Sequence, residues 1–247
     1  KKFIKSLAYP ITLSVNEVAG NFNPIEGDDS KDPHYYQSVS EGDVVKIDLG
    51  VQIEGIPAVV SHTVVVSDQA SDVVSGRKAD VILARYYAVQ VALKMLSTKR
   101  TNNEITQAIQ KIAEAYHVSP VEGVLSHRMK RDIIDGPETI INKTTFDQKV
   151  DNRNFIAGDI FGMDVIFSTG EGKPKEVFWF KIQTELKTTI HKRALETTYK
   201  LKQDSSRKLL SIIEKNFFTF PFSISSFDNE DNIHMTTKIV DIWFILE

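Results

Sequence analysis

Not one of the 247 residues is cysteine. That excludes a disulfide framework, a thiolate nucleophile, a Cys-based zinc site and an iron–sulfur cluster, and it leaves His and the carboxylates as the only metal ligands of consequence. Glycine and proline are sparse, at 12 and 8 residues, and no Ser/Gly-rich or Pro-rich stretch is long enough to serve as an interdomain linker. The longest apolar stretches, such as Ile56 to Val60, fall far short of the roughly 20 residues a membrane span needs. No membrane partner is expected. Neither sign of charge dominates, because 30 Lys+Arg against 33 Asp+Glu leave a net charge of −3. A typical nucleic-acid-binding domain is more basic than this. A secretory leader pattern is also missing, and the first residue is Lys1 rather than Met, so the chain reads as an ordered subset lacking its terminal segments.

What is present is an ordinary globular composition, 41% hydrophobic and 26% charged, able to bury a core without staples. Residues 1–247 read as a single domain. The first third is strand and loop. Ile11 to Val15 is a candidate strand, Asn21 to Tyr36 is polar and punctuated by turn pairs, and Val44 to Val66 is rich in β-branched residues. Arg77 to Leu96 lacks Gly and Pro and predicts a long helix buried on a wide face. Thr101 and Glu104 have capping-box spacing, and Ile105, Ala108, Ile109, Ile112, Ala113 and Tyr116 recur at helical steps behind them, predicting a second helix with a core stripe.

Beyond Pro120 short strands are expected at Thr139 to Asn142, Ile160 to Phe167 and Lys187 to Lys192. Gly170-Glu171-Gly172 reads as a hairpin turn between the last two, since it lacks the spacing of a phosphate-binding loop. Asp204 or Ser205 can cap a last helix running through Phe217, with Leu209, Leu210, Ile212, Ile213 and Phe217 inward. Phe218, Phe220, Phe222 and Phe227 read as an aromatic core cluster. Strands mixed with paired helices, without a strict βαβ rhythm, indicate the α+β class.

Glu41 to Thr63 reads as two strands folded at Glu54-Gly55. If that two-residue turn sets the register, paired residue numbers sum to 109. Asp48 then lies opposite Ser61, with Val59 as its diagonal neighbour on the same face. A carboxylate in so apolar a strand needs a hydrogen bond, a cation or a metal, which singles out Asp48.

These residues also carry a resemblance. Glu41 to Gly50, centred on Lys46-Ile-Asp-Leu-Gly50, resembles the corresponding strand of type 2 methionine aminopeptidases. It is closer still to their catalytically inactive relatives, the proliferation-associated or ErbB-binding proteins. The same likeness runs through Ser75 to Ile82, Ser119 to His127, Ile134 to Gly136, Ser168 to Lys173, Thr188 to Arg193 and Ser206 to Phe227, in the right order. It implies the pita-bread (creatinase/aminopeptidase-like) α+β fold.

The resemblance further implies a two-metal site with five ligands, two Asp on the hairpin, a His and two Glu. Asp48 matches the first Asp. The second falls at Val59, which cannot ligate. The His matches His127, with Ser126 where the enzymes have Gly, and Asp164 stands where they have Glu. Two further active-site histidines fall at Asn21 and Asp135, and the fifth ligand finds no match in Ile239 to Glu247. Asp48, Val59, His127, Asp164, Asn21 and Asp135 are thus read as a vestigial site with no catalytic residue and no cofactor. Asp48, His127 and Asp164 are the candidates for a single metal. Of the other histidines, His34, His62, His117, His191 and His234, none has a spaced metal-binding partner.

The function implied is that of a pseudoenzyme, a binding module in growth, cell-cycle and translation control, in the cytoplasm and nucleus. Its implied partners are the ribosome or RNA and regulatory proteins. Arg77 with Lys78, Arg128 with Lys130 and Arg131, Lys173 with Lys175, and Lys192 with Arg193 are basic clusters, each read as a solvated face. The alternative is an active metal-dependent methionine aminopeptidase that removes initiator methionine.

Overall fold

The structure is a computed structural model, described for residues 4–23, 38–69, 73–174, 190–194, 202–223 and 226–227. Along the chain run β1 (Lys5–Val15), β2 (Val44–Ile53), β3 (Ile56–Val65), α1 (Gly76–Met95), α2 (Asn102–Ala115), β4 (Ser119–Pro120), β5 (Leu125–Met129), β6 (Thr139–Ile141), β7 (Ile160–Gly162), β8 (Phe167–Ser168), β9 (Ile190–His191), α3 (Asp204–Asn216) and β10 (Phe222–Ser223). They form two compact units. One comprises residues 1–66, 131–133 and 177–247, the other residues 67–130 and 134–176. Among the described residues no helix is long and apolar enough to cross a membrane.

In the first unit β1, β2 and β3 make an antiparallel sheet in that order. The β2–β3 pairing has the register that the Glu54-Gly55 turn dictates, from Ile53 opposite Ile56 through Asp48 opposite Ser61 to Val44 opposite Val65. Both turn residues have positive φ, 53° and 81°, as a tight two-residue hairpin requires. β1 is longer than Ile11 to Val15, and its pairing with β2 is irregular around Tyr9 to Thr12. Pro10 lies in that stretch and has no N–H to give the ladder.

The hairpin tip is held down by the segment 131–133. Asp132 N–H donates to the Gly55 carbonyl (2.7 Å) and Gly55 N–H donates to Gln52 Oε1 (2.7 Å). Thr219 Oγ1 donates to the Asp132 carbonyl, adding a third segment. Elsewhere in this unit β9 pairs with β10. Phe220, Phe222 and Phe227 are buried, as are Leu209 and Ile213 of α3, and Phe217 stacks on Phe222. Phe218, expected in that cluster, is instead half exposed with a positive φ, because the chain turns sharply where α3 ends. α3 is preceded by Gln203 with no side-chain cap, not capped by Asp204 or Ser205. Asp204 is spent on an ion pair with Arg207.

The second unit is built on α1 and α2. The capping box forms as predicted: Thr101 Oγ1 accepts from Glu104 N–H, and Glu104 Oε2 accepts from Thr101 N–H at 2.8 Å. Ile105, Ile109 and Ala113 are buried with Ile140, Phe155, Val165 and Phe167 in one core. The face that α1 turns to the core is fully buried only along its centre. Only Ala84, Ala88 and Ala92 are fully buried, and Val81, Val89 and Met95 pack against the same core while partly exposed.

The strand expected over Ile160 to Phe167 is split. β7 pairs with β5 and β8 pairs with β4, so residues 163–166 bridge two sheets. Gly170 to Gly172 therefore does not turn a hairpin between β8 and β9, since β9 pairs with β10. Gly172 has a positive φ and meets β4 so closely that an added Cβ would lie 2.4 Å from the Pro120 carbonyl oxygen. The expectations at Lys187 to Thr189, Asn-Pro to Tyr36 (residues 24–36) and Ile239 to Glu247, and those for His34 and His234, lie outside the described residues.

A Cβ on Gly55 would sit 2.1 Å from Asp132 Oδ1 at a positive φ. Gly55→Ala is therefore expected to lower stability by at least the ~1–2 kcal/mol of a left-handed L-residue, read from the urea midpoint. Asp132→Gly combined with Gly55→Ala should cost less than the sum of the two. Strict additivity would mean that the clash is not the cause.

Candidate functional site

The six positions singled out in the sequence divide between the units. Asp48, Val59 and Asn21 fall in the first, His127, Asp164 and Asp135 in the second.

In the first unit β1, β2 and β3 set three of these residues around one patch of sheet. Asp48 sits opposite Thr12 on one side and Ser61 on the other, and Thr12 Oγ1 donates to its Oδ2 at 3.1 Å. Lys46, two residues back on the same face, donates from Nζ to the Asn16 carbonyl at 2.8 Å. Burial holds the Lys46 ammonium below its ordinary range, against the opposing pull of the Asp48 and Glu17 carboxylates. A hydroxyl and a nearby cation thus answer the cost of a carboxylate in an apolar strand.

Val59 stands opposite Gly50. A Cβ at Gly50 would meet Tyr9 Cβ at 2.9 Å and Val59 Cγ1 at 3.0 Å, so Tyr9 and Val59 close over the bare glycine on the Asp48 side of the sheet. Asn21, with a φ of 64°, accepts from the Tyr9 hydroxyl through Oδ1. Tyr9 is the member of this group that the sequence did not single out. An aromatic in a strand is ordinary, and only the pairing with Gly50 reveals its place.

In the second unit His127 lies on β5, between Thr139 of β6 and Gly162 of β7. Its Nδ1 is 2.9 Å from the Gly136 carbonyl oxygen. A carbonyl only accepts, so Nδ1 carries a proton and, in the neutral ring, Nε2 carries the lone pair. Gly136 is itself pressed against β5, where a Cβ would lie 2.3 Å from the Arg128 carbonyl oxygen. Asp135, exposed, is the neighbour of the residue that orients the imidazole. Asp132, a few residues earlier, is a non-glycine residue with a positive φ of 63°.

Ser126 is completely buried and makes two bonds to one residue. Its hydroxyl donates to the Asp164 carbonyl (3.1 Å) and accepts from Asp164 N–H (2.8 Å). That clamp takes the backbone groups a continuing β7 ladder would have used, which is a physical reason for the break before β8. It fixes the backbone of Asp164, whose side chain is exposed. Within each unit, among the described residues, no group of three or more His, Asp or Glu side chains is gathered to hold a metal ion.

Arg128, next to His127, was expected on a solvated basic face. It lies instead in an ion network. Arg128 Nε is 2.7 Å from Asp159 Oδ1 and Arg128 Nη1 2.8 Å from Glu138 Oε1, with Arg153 3.3 Å from Asp159. The Asp159 carboxylate is 4% exposed. Burial pushes the Glu138 carboxyl upward, but the Arg128 hydrogen bond, its own backbone N–H and the charges of Lys130 and Arg128 outweigh it and hold the group below its usual range.

The profile described as Metallopeptidase family M24 matches residues 7–185. The chain belongs to metallopeptidase family M24. Within M24 it is similar to the proliferation-associated and ErbB-binding proteins. It is 38% identical over 230 residues to Proliferation-associated protein A of Dictyostelium discoideum, covering 93% of this chain and 56% of that protein. It is 40% identical over 223 residues to ERBB-3 binding protein 1 of Solanum tuberosum, covering 90% and 54%. The M24 chain thus spans about half the length of the curated relatives it matches.

Among solved structures it resembles a thermophilic Arx1, with a TM-score of 0.77 and 28% identity over 98% of this chain and 67% of that one. A methionine aminopeptidase from Thermotoga maritima, at 18% identity and a TM-score of 0.53 over 66% of this chain and 58% of that one, shares the fold. The fold is the pita-bread α+β fold.

Two outcomes are expected from the second unit. Ser126→Ala leaves the Asp164 amide without its partner and should lower stability by about 1–3 kcal/mol in chemical denaturation; no change would mean that the clamp contributes nothing. Because the folded Glu138 group titrates below its unfolded value near 4.5, its contribution is present above that pH and lost as pH falls through the folded value. The stability gap between the native chain and Glu138→Gln should therefore shrink on acidification below about pH 4.5, and a gap constant with pH would contradict the assignment.

Proposed function

We propose that this M24 chain is a non-catalytic member of the family that works as a binding module. In this reading residues 1–247 are one methionine-aminopeptidase-like domain that contacts RNA or the ribosome and regulatory proteins. It serves growth, cell-cycle and translation control in the cytoplasm and nucleus, and needs no cofactor. One named relative is an ERBB-3 binding protein, which supports protein contact as the mode of action.

The observation that carries the reading is Val59. The hairpin register sets it on the Asp48 face, packed with Tyr9 over Gly50, at the position where the aminopeptidase pattern calls for the second Asp. An isopropyl group offers no donor atom. Two-metal sites hold their ions about 3.5–4 Å apart. Even two unit charges at 4 Å repel by about 4 kcal/mol at an effective dielectric of 20, and dications repel more. Without a carboxylate from β3 to share between the ions, the donor set does not fit a dinuclear centre. Asn21 and Asp135, where the pattern has histidines, lack an imidazole to exchange protons near neutral pH.

The test is hydrolysis of a Met-Ala-Ser peptide by chelator-stripped protein supplied with excess Mn, Co or Zn, beside an active type 2 methionine aminopeptidase. No turnover with any metal is expected. Metal-dependent turnover that disappears in His127→Ala would overturn the proposal and make the chain an active peptidase.

A further inference from the structure

Helix α1 carries apolar residues on two opposite faces, more than a helix with one core-facing stripe normally shows. Its neighbours cover only part of it. Ala84, Ala88 and Ala92 are each 0% exposed and form the stripe that packs in the core with Ile105, Ile109 and Ala113 of α2. On the opposite side Leu83, Tyr86 and Leu93 fall on one face at helical spacing, with the exposed Gln90 among them, and they are 43%, 52% and 48% exposed. A residue-sized row of this kind, sustained over three turns, is more apolar surface than isolated exposed side chains explain.

Apart from the Arg77–Asp80 pair, the charges that α1 itself contributes have one sign. The single acid of α1, Asp80, pairs with Arg77 at 3.5 Å. Arg77 is further committed to the carbonyls of Tyr116 (3.3 Å) and His117 (2.7 Å), where α2 ends. The remaining charged residues of α1 are Lys78, Arg85 and Lys94. At 100° per residue, Lys78 and Arg85 border the Leu83–Tyr86–Leu93 row on one side and Lys94 on the other. An apolar stripe framed by cations on both edges is complementary to an apolar stripe framed by carboxylates.

We propose that this outer face of α1 docks an amphipathic helix of a protein partner, with aliphatic or aromatic residues at i, i+3, i+4 and i+7 and acidic residues on both flanks. A single-stranded nucleic acid would also meet the cations, but it needs open aromatic faces on which bases can stack. Here the row is mostly aliphatic. Tyr87 already stacks on Tyr116 (6.1 Å, 25°), and Tyr86 meets Tyr87 edge-on (5.4 Å, 75°). The surface lies wholly in the second unit and holds whether or not the chain hydrolyses peptides.

The test uses the native chain and a fluorescent peptide of about 18 residues, long enough to be helical, with Leu at i, i+3, i+4 and i+7 and Glu elsewhere. A Lys-for-Glu counterpart and an oligouridylate serve as the other probes. Saturable anisotropy change with the Glu peptide is expected, weakened about tenfold or more by Leu83→Glu or Tyr86→Glu, with no binding of the Lys peptide. Both substitutions are at exposed positions, and an unchanged circular dichroism spectrum verifies the fold. The proposal is overturned if the Glu peptide fails to bind at millimolar concentration, or if neither variant alters its binding. It is likewise overturned if oligouridylate, rather than the peptide, is the probe whose binding the variants abolish.

Discussion

The parity of the β2–β3 hairpin is the constraint on which the first unit depends. In a strand, side chains alternate faces, so a slip of one residue would send Asp48 to the face that carries Leu49 and Val60. Three contacts prevent the slip. Gly55 takes the positive φ that the turn requires, Gln52 Oε1 accepts from its N–H, and Asp132 donates to its carbonyl. The last is the most demanding, because segment 131–133 approaches so closely that only glycine fits. Everything said of Asp48, Val59 and Tyr9 follows from that one turn being where it is.

Given the register, a valine at position 59 has a local logic. An Asp beside Asp48 would place two like charges on neighbouring strands, which is unfavourable unless a cation lies between them. Val59 removes that requirement and packs with Tyr9 over Gly50, while Asp48 is served by Thr12 and neighboured by Lys46. In the second unit Ser126 acts comparably, its hydroxyl using hydrogen-bonding capacity on the Asp164 backbone. In both places the interactions that hold the strand come from the protein itself.

The features legible in the sequence were those settled by neighbours in the chain. Glu54-Gly55 determines a register within the hairpin it closes, and Thr101 with Glu104 closes a capping box within one turn of helix. The features that could not be read depend on residues far away. Whether α1 buries its leucines or its alanines is decided by how closely α2 approaches, and a hydrophobic pattern with apolar residues on opposite faces carries no preference. The break before β8 is made by Ser126, some forty residues upstream, and Phe218 is turned outward by the geometry of a helix end. Arg128 looked like part of a basic run because Asp159 and Glu138, which neutralise it, are distant in sequence. The site positions were reached through their likeness to an enzyme pattern; hydrogen-bond partners such as Thr12, Tyr9 and Gly136 had no signal of their own.

That Asp48 and His127 are present does not argue for a metal, because each has a role in the apoprotein that would hold it in place. Asp48 accepts from Thr12 across β1 and β2, so replacing it would leave a buried hydroxyl to find another acceptor. His127 donates to the Gly136 carbonyl and thereby ties β5 to the turn before β6. These are structural bonds between backbone-defined partners, each worth on the order of 1 kcal/mol, and they act whether or not a ligand binds. A metal centre, by contrast, needs its donors jointly, and the loss of one bridging carboxylate weakens the whole set rather than a single contact. Folding alone is therefore enough to account for Asp48 and His127, and nothing in the packing around Tyr9 and Gly50 calls for a charge at position 59.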